Sequence, residues 1–326
     1  MTTYKEIFGK YVKNYSSDPS SDAEGQVWYN STTGVFKTNL NLGGVWASGG
    51  NMGTARFGMA SGGTQTAAFG AGGSSLFPTP ISPSPTEEYD GSAWTAGGNL
   101  GTARLLLAGA GTQTAGLAFG GGNTGTSTIT ATEEYDGSAW TGGGNLTNGN
   151  WLLAGCGLQT AGLRIGGGGP VTNTEEYDGS AWTAGGALGT ASQNLAGAGT
   201  QTAGLGFAGY NGTANIANTQ EYDGSAWTAG GNMSTARRDL AGCGTQTAGL
   251  GFGGYATGRV TATEEYDGSA WTAGGNLGTA RSALGGAGTQ TAGLGFGGNP
   301  ATGVTAATEE YTDPTFAVKT ITTSTS

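Results

Sequence analysis

An aromatic hairpin motif in five near-identical copies, a spacing of 42–48 residues between six aligned tryptophans, and 69 glycines set among threonines and aromatics predict an all-β fold. The architecture they point to is a β-propeller of six four-stranded antiparallel blades. The motif is EYDGSAW, at 88–94, 134–140, 176–182, 221–227 and 265–271. Aligned on tryptophan, the copies place Trp46, Trp94, Trp140, Trp182, Trp227 and Trp271 at steps of 48, 46, 42, 45 and 44 residues. No 3.6-residue apolar stripe is sustained, which removes the helical repeats that share this period.

Residues 104–144 illustrate one unit. A first strand, LLLAGAG (105–111), turns through TQT into a second, AGLAFGG (115–121). A loop at 122–131 leads to the third strand, TEEYD, and the DGSA turn returns the chain along the fourth, AWTGG. Asp-Gly marks the reversal because glycine accepts positive φ and aspartate tolerates such turns. The first strand is the most glycine-rich (LAGAG, LAGCG, LAGAG, LAGCG, LGGAG). It therefore belongs at the crowded axis of a radial array, where small residues let backbones approach. The large aromatics belong between neighbouring blades: Trp46 and the pairs Tyr89–Trp94, Tyr135–Trp140, Tyr177–Trp182, Tyr222–Trp227 and Tyr266–Trp271. Each buries roughly 150–250 Å².

The first three strands occur six times, the last third strand ending at Tyr311. GGVWASGGNMGTAR (43–56) matches a fourth strand and its loop with no third strand before it. It is expected to complete the last blade, so that both ends of the ring share one sheet and no edge is left open. The competing register uses Phe316, five residues after Tyr311, and FAVKT.

Glycine doublets at 72–73, 121–122, 167–168, 253–254 and 297–298, each followed by the tyrosine and tryptophan of the motif, resemble the kelch-repeat family of β-propellers. The fourth copy departs, with Ala208–Gly209, and Tyr89 and Trp94 are only five apart, closer than in many kelch repeats. The resemblance spans about residues 40–312 and implies a kelch-like ring.

Ahead of the ring, VWYN and GVFKT flank NSTTG and read as a β-hairpin at 25–39, after an arm at 1–24; residues 313–326 form a C-terminal strand or tail. Tyr4–Ile7, Ser17–Pro19 and Gly25–Thr32 resemble the N-terminal segment of tail-fibre and other virion proteins of bacteriophages, especially marine ones. This resemblance covers about the first 40 residues. It implies a protein assembled in the host cytoplasm and carried on the tail or capsid surface. It also implies docking to other virion proteins through Tyr4, Ile7, Phe8, Trp28 and Tyr29, and a homo-oligomer, trimeric as in many tail fibres, although no coiled-coil heptads are present to enforce one.

Charge narrows the partners. The formal net charge is −10, and all five lysines lie outside residues 38–318, which disfavours a phosphate backbone. No apolar run is long enough to span a bilayer and no secretory h-region is visible, so membrane insertion is not expected. No cofactor is expected. The chain has no histidine, which removes Ser-His-Asp triads and imidazole-based metal sites, including those of copper oxidases on a kelch-type ring. Cys156 and Cys243 stand where other copies have Ala110, Ala198 and Ala287 and read as small core residues.

Paired carboxylates raise a propeller glycan hydrolase. Yet Glu87 and Glu88 point to opposite faces of a strand and recur in nearly every blade, whereas catalysis needs one pair in one cleft. The arginines of the TAR loops, Arg56, Arg104, Arg237 and Arg281, are the partners offered to them; the alternative is a solvated acidic rim.

Variation among the copies concentrates in the loops between second and third strands: SSLFPTPISPSP, NTGTSTITA, YNGTANIAN, YATGRVTA and NPATGVTAA. These share one face with the fourth-to-first connections; the other face carries the uniform TQT and DGSA turns. Function tends to sit on such loops above a rigid scaffold. Phe77, Trp151, Tyr210, Tyr255 and Arg259 are the candidate contacts for a host-surface glycan or protein. The sequence thus predicts a non-enzymatic virion protein that works by binding. Its rivals are a decoration protein touching only virion subunits, a kelch-type adaptor, and the glycan hydrolase.

Overall fold

The computed structural model describes residues 13–17, 27–40, 44–76, 84–123, 127–313 and 317–321, and these form strands, turns and loops with no helix among them. They divide into two units, Val45–Thr312 and a terminal unit drawn from Met1–Gly44 and Asp313–Ser326. Tyr4, Ile7, Phe8, Phe77 and Phe316 lie outside the described residues.

Val45–Thr312 consists of six four-stranded antiparallel sheets, an arrangement consistent with a β-propeller. Sheet I is Ala60–Thr64, Ala67–Ala71, Thr86–Tyr89 and Trp94–Ala96. Sheet II is Ala108–Thr112, Ala115–Phe119, Thr132–Tyr135 and Trp140–Gly142. Sheet III is Ala154–Leu158, Ala161–Ile165, Thr174–Tyr177 and Trp182–Ala184. Sheet IV is Ala196–Gly199, Gly204–Phe207, Thr219–Tyr222 and Trp227–Ala229. Sheet V is Ala241–Thr245, Ala248–Phe252, Thr263–Tyr266 and Trp271–Ala273. Sheet VI takes Gly285–Gly288, Ala292–Phe296 and Thr308–Thr312, and its fourth strand is Val45–Ser48, with Trp46 opposite Tyr311.

The hairpins keep one register throughout, each motif tyrosine facing its tryptophan, as Tyr89 faces Trp94. In the turn, Asp90 Oδ1 accepts from Ser92 N, Ser92 Oγ and Ala93 N at 2.7–2.8 Å, and Gly91 takes φ +92°. Those donors hold the Asp90 carboxyl below the ordinary carboxylate range, the Ala93 amide contributing most.

Three side chains of the repeat tie each sheet to the one before it. The indole Nε1 donates to a threonine: Trp140 to Thr86 (2.8 Å), Trp182 to Thr132 (2.8 Å), Trp227 to Thr174 (2.9 Å), Trp271 to Thr219 (2.8 Å), and Trp46 to Thr263 (2.9 Å). Trp94 of sheet I donates to Thr308 of sheet VI at 2.9 Å. The tyrosine hydroxyl donates to the second glutamate of the neighbouring motif, Tyr135 to Glu88, Tyr177 to Glu134 and Tyr89 to Glu310 among them. Each glutamine of the TQT or LQT turn donates Nε2 to two backbone carbonyls of the preceding sheet; Gln113 reaches Ala68 O (3.0 Å) and Tyr89 O (2.8 Å), and Gln65 reaches Gly293 O and Tyr311 O. Indoles also rest on rings of the preceding sheet, Trp182 on Phe119 and Trp271 on Phe207, with centroids 4.8 Å apart.

The first strands pack closely. A Cβ at Gly155 would lie 2.8 Å from Gly109 O and 2.6 Å from Phe119 Cζ. Cys156 and Cys243 are buried free thiols on these strands, their pKa pushed up to about 12 by desolvation.

The TAR arginines are fully buried against the first glutamate of each motif, Arg56 with Glu87 and Arg281 with Glu309 at 2.9 Å, Arg237 with Glu264 at 3.0 Å and Arg104 with Glu133 at 3.1 Å. The guanidinium also caps backbone carbonyls at the end of the second strand and just before the third; Arg281 reaches Ala307 O (2.7 Å), Gly297 O (3.1 Å) and Gly295 O (3.4 Å). Sheet III has Asn150 at the loop position and supplies the cation from its second strand instead, Arg164 lying 3.4 Å from Glu175. Sheet IV loses both partners together, with Ser192 for the arginine and Gln220 for the glutamate. Within one chain the two positions change as a pair, as expected where a buried charge left alone is costly.

Two details differ from the sequence reading. The first strand of sheet II starts at Ala108, not Leu105, because Leu106 adopts a left-handed conformation (φ +55°) that breaks the extended run. The left-handed pairs ending the second strands are Gly120–Gly121 and Gly166–Gly167, one residue earlier than 121–122 and 167–168; runs of three or four glycines carry no side chain to fix that register.

In the terminal unit, Val27–Asn30 and Val35–Leu40 form an antiparallel hairpin. Lys13–Tyr15 adds in parallel on one side and Ala317–Thr320 antiparallel on the other. The FAVKT register is thereby corrected, since Ala317–Thr320 has Val35–Leu40 as its partner and Val45–Ser48 fills the place in sheet VI. Trp28 is fully buried and Tyr29 half-buried beside Phe36, centroids 5.2 Å apart. Of the two, Tyr29 is the more exposed.

Candidate functional site

In an antiparallel sheet of consecutive strands, the loop between second and third strands and the connection into the first strand meet at one end. Isolated bridges join them there: Gln193 to Tyr210, Arg238 to Tyr255, Ser282 to Asn299. The TQT and DGSA turns occupy the opposite end.

Two consecutive residues after each TAR position define this loop face: Phe57–Gly58, Leu105–Leu106, Trp151–Leu152, Gln193–Asn194, Arg238–Asp239 and Ser282–Ala283. The second of each pair has positive φ, 52–56° at Leu106, Leu152, Asn194, Asp239 and Ala283 and 64° at Gly58. Non-glycine residues reach that region at a cost of roughly 1–2 kcal/mol each. The repeated strain has a visible return: Leu106 N donates to Gly58 O (2.7 Å), Leu152 to Leu106 (3.0 Å), Asn194 to Leu152 (2.8 Å), Asp239 to Asn194 (2.9 Å) and Ala283 to Asp239 (2.7 Å). Gly58 N donates to Ala283 O at 2.9 Å, so the sixth bond leads back to the first residue. These six residues line one end of a cavity of about 150 Å³ whose walls continue along the first strands. A second cavity, about 100 Å³, is lined by the glycines that end those strands, Gly63, Gly111 and Gly157 among them.

The two rows of side chains are uneven round the mouth. Leu106, Trp151 and Leu152 make one side apolar, with Phe57 and Leu105 buried behind them; Gln193, Asn194, Arg238 and Asp239 make the other polar, with Ser282 buried beside them. On the polar side the Arg238 guanidinium lies between two tyrosine rings, 5.2 Å from the Tyr210 centroid and 5.1 Å from that of Tyr255. It donates to Asn215 Oδ1 (3.3 Å) and pairs with Asp239 (3.5 Å). Asn215 donates to Tyr255 O (3.1 Å) and Ala256 O (2.9 Å), pinning one loop to the next. Arg259 does the same further on, with Nε to Asn299 O (2.6 Å) and Nη2 to Asn299 Oδ1 (2.8 Å). Desolvation pushes the Asp239 carboxyl up, opposed by the Asn194 amide and by the charges of Arg238 and Arg259.

Of the candidate contacts, Tyr210, Tyr255 and Arg259 thus belong to one cluster. Trp151 stands apart on the apolar side, where Gly168 N donates to its carbonyl (2.7 Å) and Gly168 leaves room for the indole. Phe77 lies outside the described residues. Sequence reasoning missed Arg238, Asp239, Asn194 and Asn215. The signal was present: the dipeptides FG, LL, WL, QN, RD and SA follow the templated TAR-type segment and share no residue type in register except leucine.

No protein-family model matches the chain, and the search of curated proteins finds no match.

Proposed function

We propose that Val45–Thr312 is a closed, six-bladed, kelch-like β-propeller, and that the protein is a non-enzymatic structural component of a bacteriophage particle. Its N-terminal part docks to other virion proteins and its loop face binds a host-surface glycan or protein. The observation that carries the binding reading is the sorting of variation by face: the tryptophans, tyrosines and glutamines that tie hairpin to hairpin are templated, while round the mouth only leucine recurs in register and the loop-to-loop contacts of Asn215 and Arg259 are each made once. Ring closure is supported by Trp94 bonded to Thr308, by Gln65 bonded to Tyr311 O, and by the mouth bonds that return to Gly58. The repeated glutamates argue for architecture over hydrolysis, because the first of each pair faces a buried arginine in sheets I–III, V and VI and the second accepts from a neighbouring tyrosine. The virion assignment rests on the N-terminal resemblance alone.

The test has two steps. Mass spectrometry of purified particles should find the chain on the virion. Particles or purified protein carrying alanine at Trp151, Tyr210, Tyr255 and Arg259 should then lose attachment to host cells. A chain absent from particles overturns the virion reading; undiminished attachment overturns the receptor reading and leaves a decoration protein.

A further inference from the structure

Nearly every charge in the six sheets has a task set by the repeat. Val45–Thr312 contains seventeen acids and seven arginines. Five arginines pair with buried glutamates. Six further glutamates accept from tyrosine hydroxyls of the next sheet, and five aspartates close the DGSA turns. Three charged residues are left over: Arg238, Asp239 and Arg259. All three lie on the loop face of sheet V, and they give a locally positive spot on an otherwise acidic unit.

We propose that this spot is a binding site for the carboxylate of an acidic sugar, a uronic or sialic acid type of saccharide, with Arg238 and Arg259 as the carboxylate-binding groups. The inference rests on the loop-face reading above and names its ligand class. A guanidinium matches a carboxylate with paired N–H donors, and both arginines arrive already fixed. Arg238 is held by Tyr210, Tyr255, Asn215 and Asp239, and Arg259 by Asn299. Such pre-organisation lowers the ordering cost of binding. Beside them, with Asn215 spent on Arg238 and two backbone carbonyls, the amide nitrogen of Gln193 and the amide oxygen of Asn194 add a donor and an acceptor for sugar hydroxyls.

The spot offers nothing further to a longer anion. The other five arginines of the unit are buried against glutamates, so the remaining charges of an acidic peptide or nucleic acid would meet no cation on this face. One carboxylate on a neutral polyol fits the spot.

The experiment is titration calorimetry, with ligand-observed NMR for weak binding, on the full chain. The probes are glucuronic acid, galacturonic acid and N-acetylneuraminic acid, beside their methyl esters, glucose, galactose and a tetraglutamate peptide. At least one acidic sugar is expected to bind, with its methyl ester and the peptide at least tenfold weaker. R238Q and R259Q should each weaken that binding at least tenfold without shifting the unfolding temperature. Should R238Q disturb the fold, R259Q and the ester comparison decide. Absence of binding by all three acids, equal binding of esters or neutral sugars, tighter binding of the peptide, or full binding by R259Q overturns the inference. Loss of cell attachment in the loop-face alanine variant together with no acidic-sugar binding would sink the ligand class and leave the binding face standing.

Discussion

Replacing Arg281 by serine isolates one of the five buried Arg–Glu pairs of the fold. The guanidinium is fully buried, pairs with Glu309 at 2.9 Å and serves three backbone carbonyls. Its removal leaves a carboxylate that is 7 % exposed without a counter-charge, which should cost about 3–5 kcal/mol. Sheet IV already contains the remedy: Ser192 and Gln220 occupy the equivalent positions, and Gly189 N donates to Gln220 Oε1 (2.6 Å) as Gly278 N donates to Glu309 Oε2 (2.6 Å). The double variant R281S/E309Q should therefore recover stability over R281S, with a coupling of roughly 1.5–3 kcal/mol, the upper part of the range for groups in one network. Urea unfolding followed by tryptophan fluorescence on parent, both singles and the double measures it. A double variant no more stable than R281S would refute the reasoning, as would a loss below about 1 kcal/mol in R281S, the scale of an exposed pair.

Other perturbations separate the remaining contributions. Desolvation and the hydrogen bond to glutamate raise the hydroxyl pKa of Tyr89, Tyr135, Tyr177 and Tyr266 to about 12 from the ordinary 10. A folded pKa above the unfolded one means stability fully present below pH 10 and lost as pH rises toward 12; unfolding temperature across pH 8–12 should show that fall, and Y135F should reduce it. Gly155→Ala places a methyl against Gly109 O and Phe119 and should lower stability by about 1–3 kcal/mol, as overpacking does. Ala283→Gly relieves a left-handed alanine and should be neutral or stabilising by up to about 1 kcal/mol, read by the same unfolding assay. Thr219→Val takes the acceptor from Trp271 Nε1 and should cost about 1–3 kcal/mol through an unpaired buried donor.

Much of the architecture was legible because the repeat is nearly exact: hairpin register, glycine-rich first strands and the Arg–Glu partners all follow from comparing copies. Trp46 could be matched to a fourth strand by its flanking residues, but only the pairing of Ala317–Thr320 with Val35–Leu40 decides against FAVKT, and a pairing between distant strands leaves no local trace. The left-handed residue at each mouth position was hidden because leucine and alanine, which hold three of the six places (Leu106, Leu152, Ala283), rarely take positive φ; the bonds between sheets impose it. Gln65 and its five counterparts were visible as a constant letter in a turn, yet their reach to the preceding sheet depends on how one sheet packs on the next. On the loop face, Tyr210, Tyr255 and Arg259 stood out as oddities, while Arg238 passed unnoticed beside the structural Arg237.

The division of labour between templated fixtures and a variable binding face is tested most directly by one paired measurement on the Trp151, Tyr210, Tyr255 and Arg259 alanine variant: unfolding temperature and attachment to host cells, each against parent. An unfolding temperature within 2–3 °C of parent, about the shift of 1 kcal/mol in a domain of this size, with attachment abolished, is the expected result. Attachment at the parental level by a variant that remains folded would contradict it.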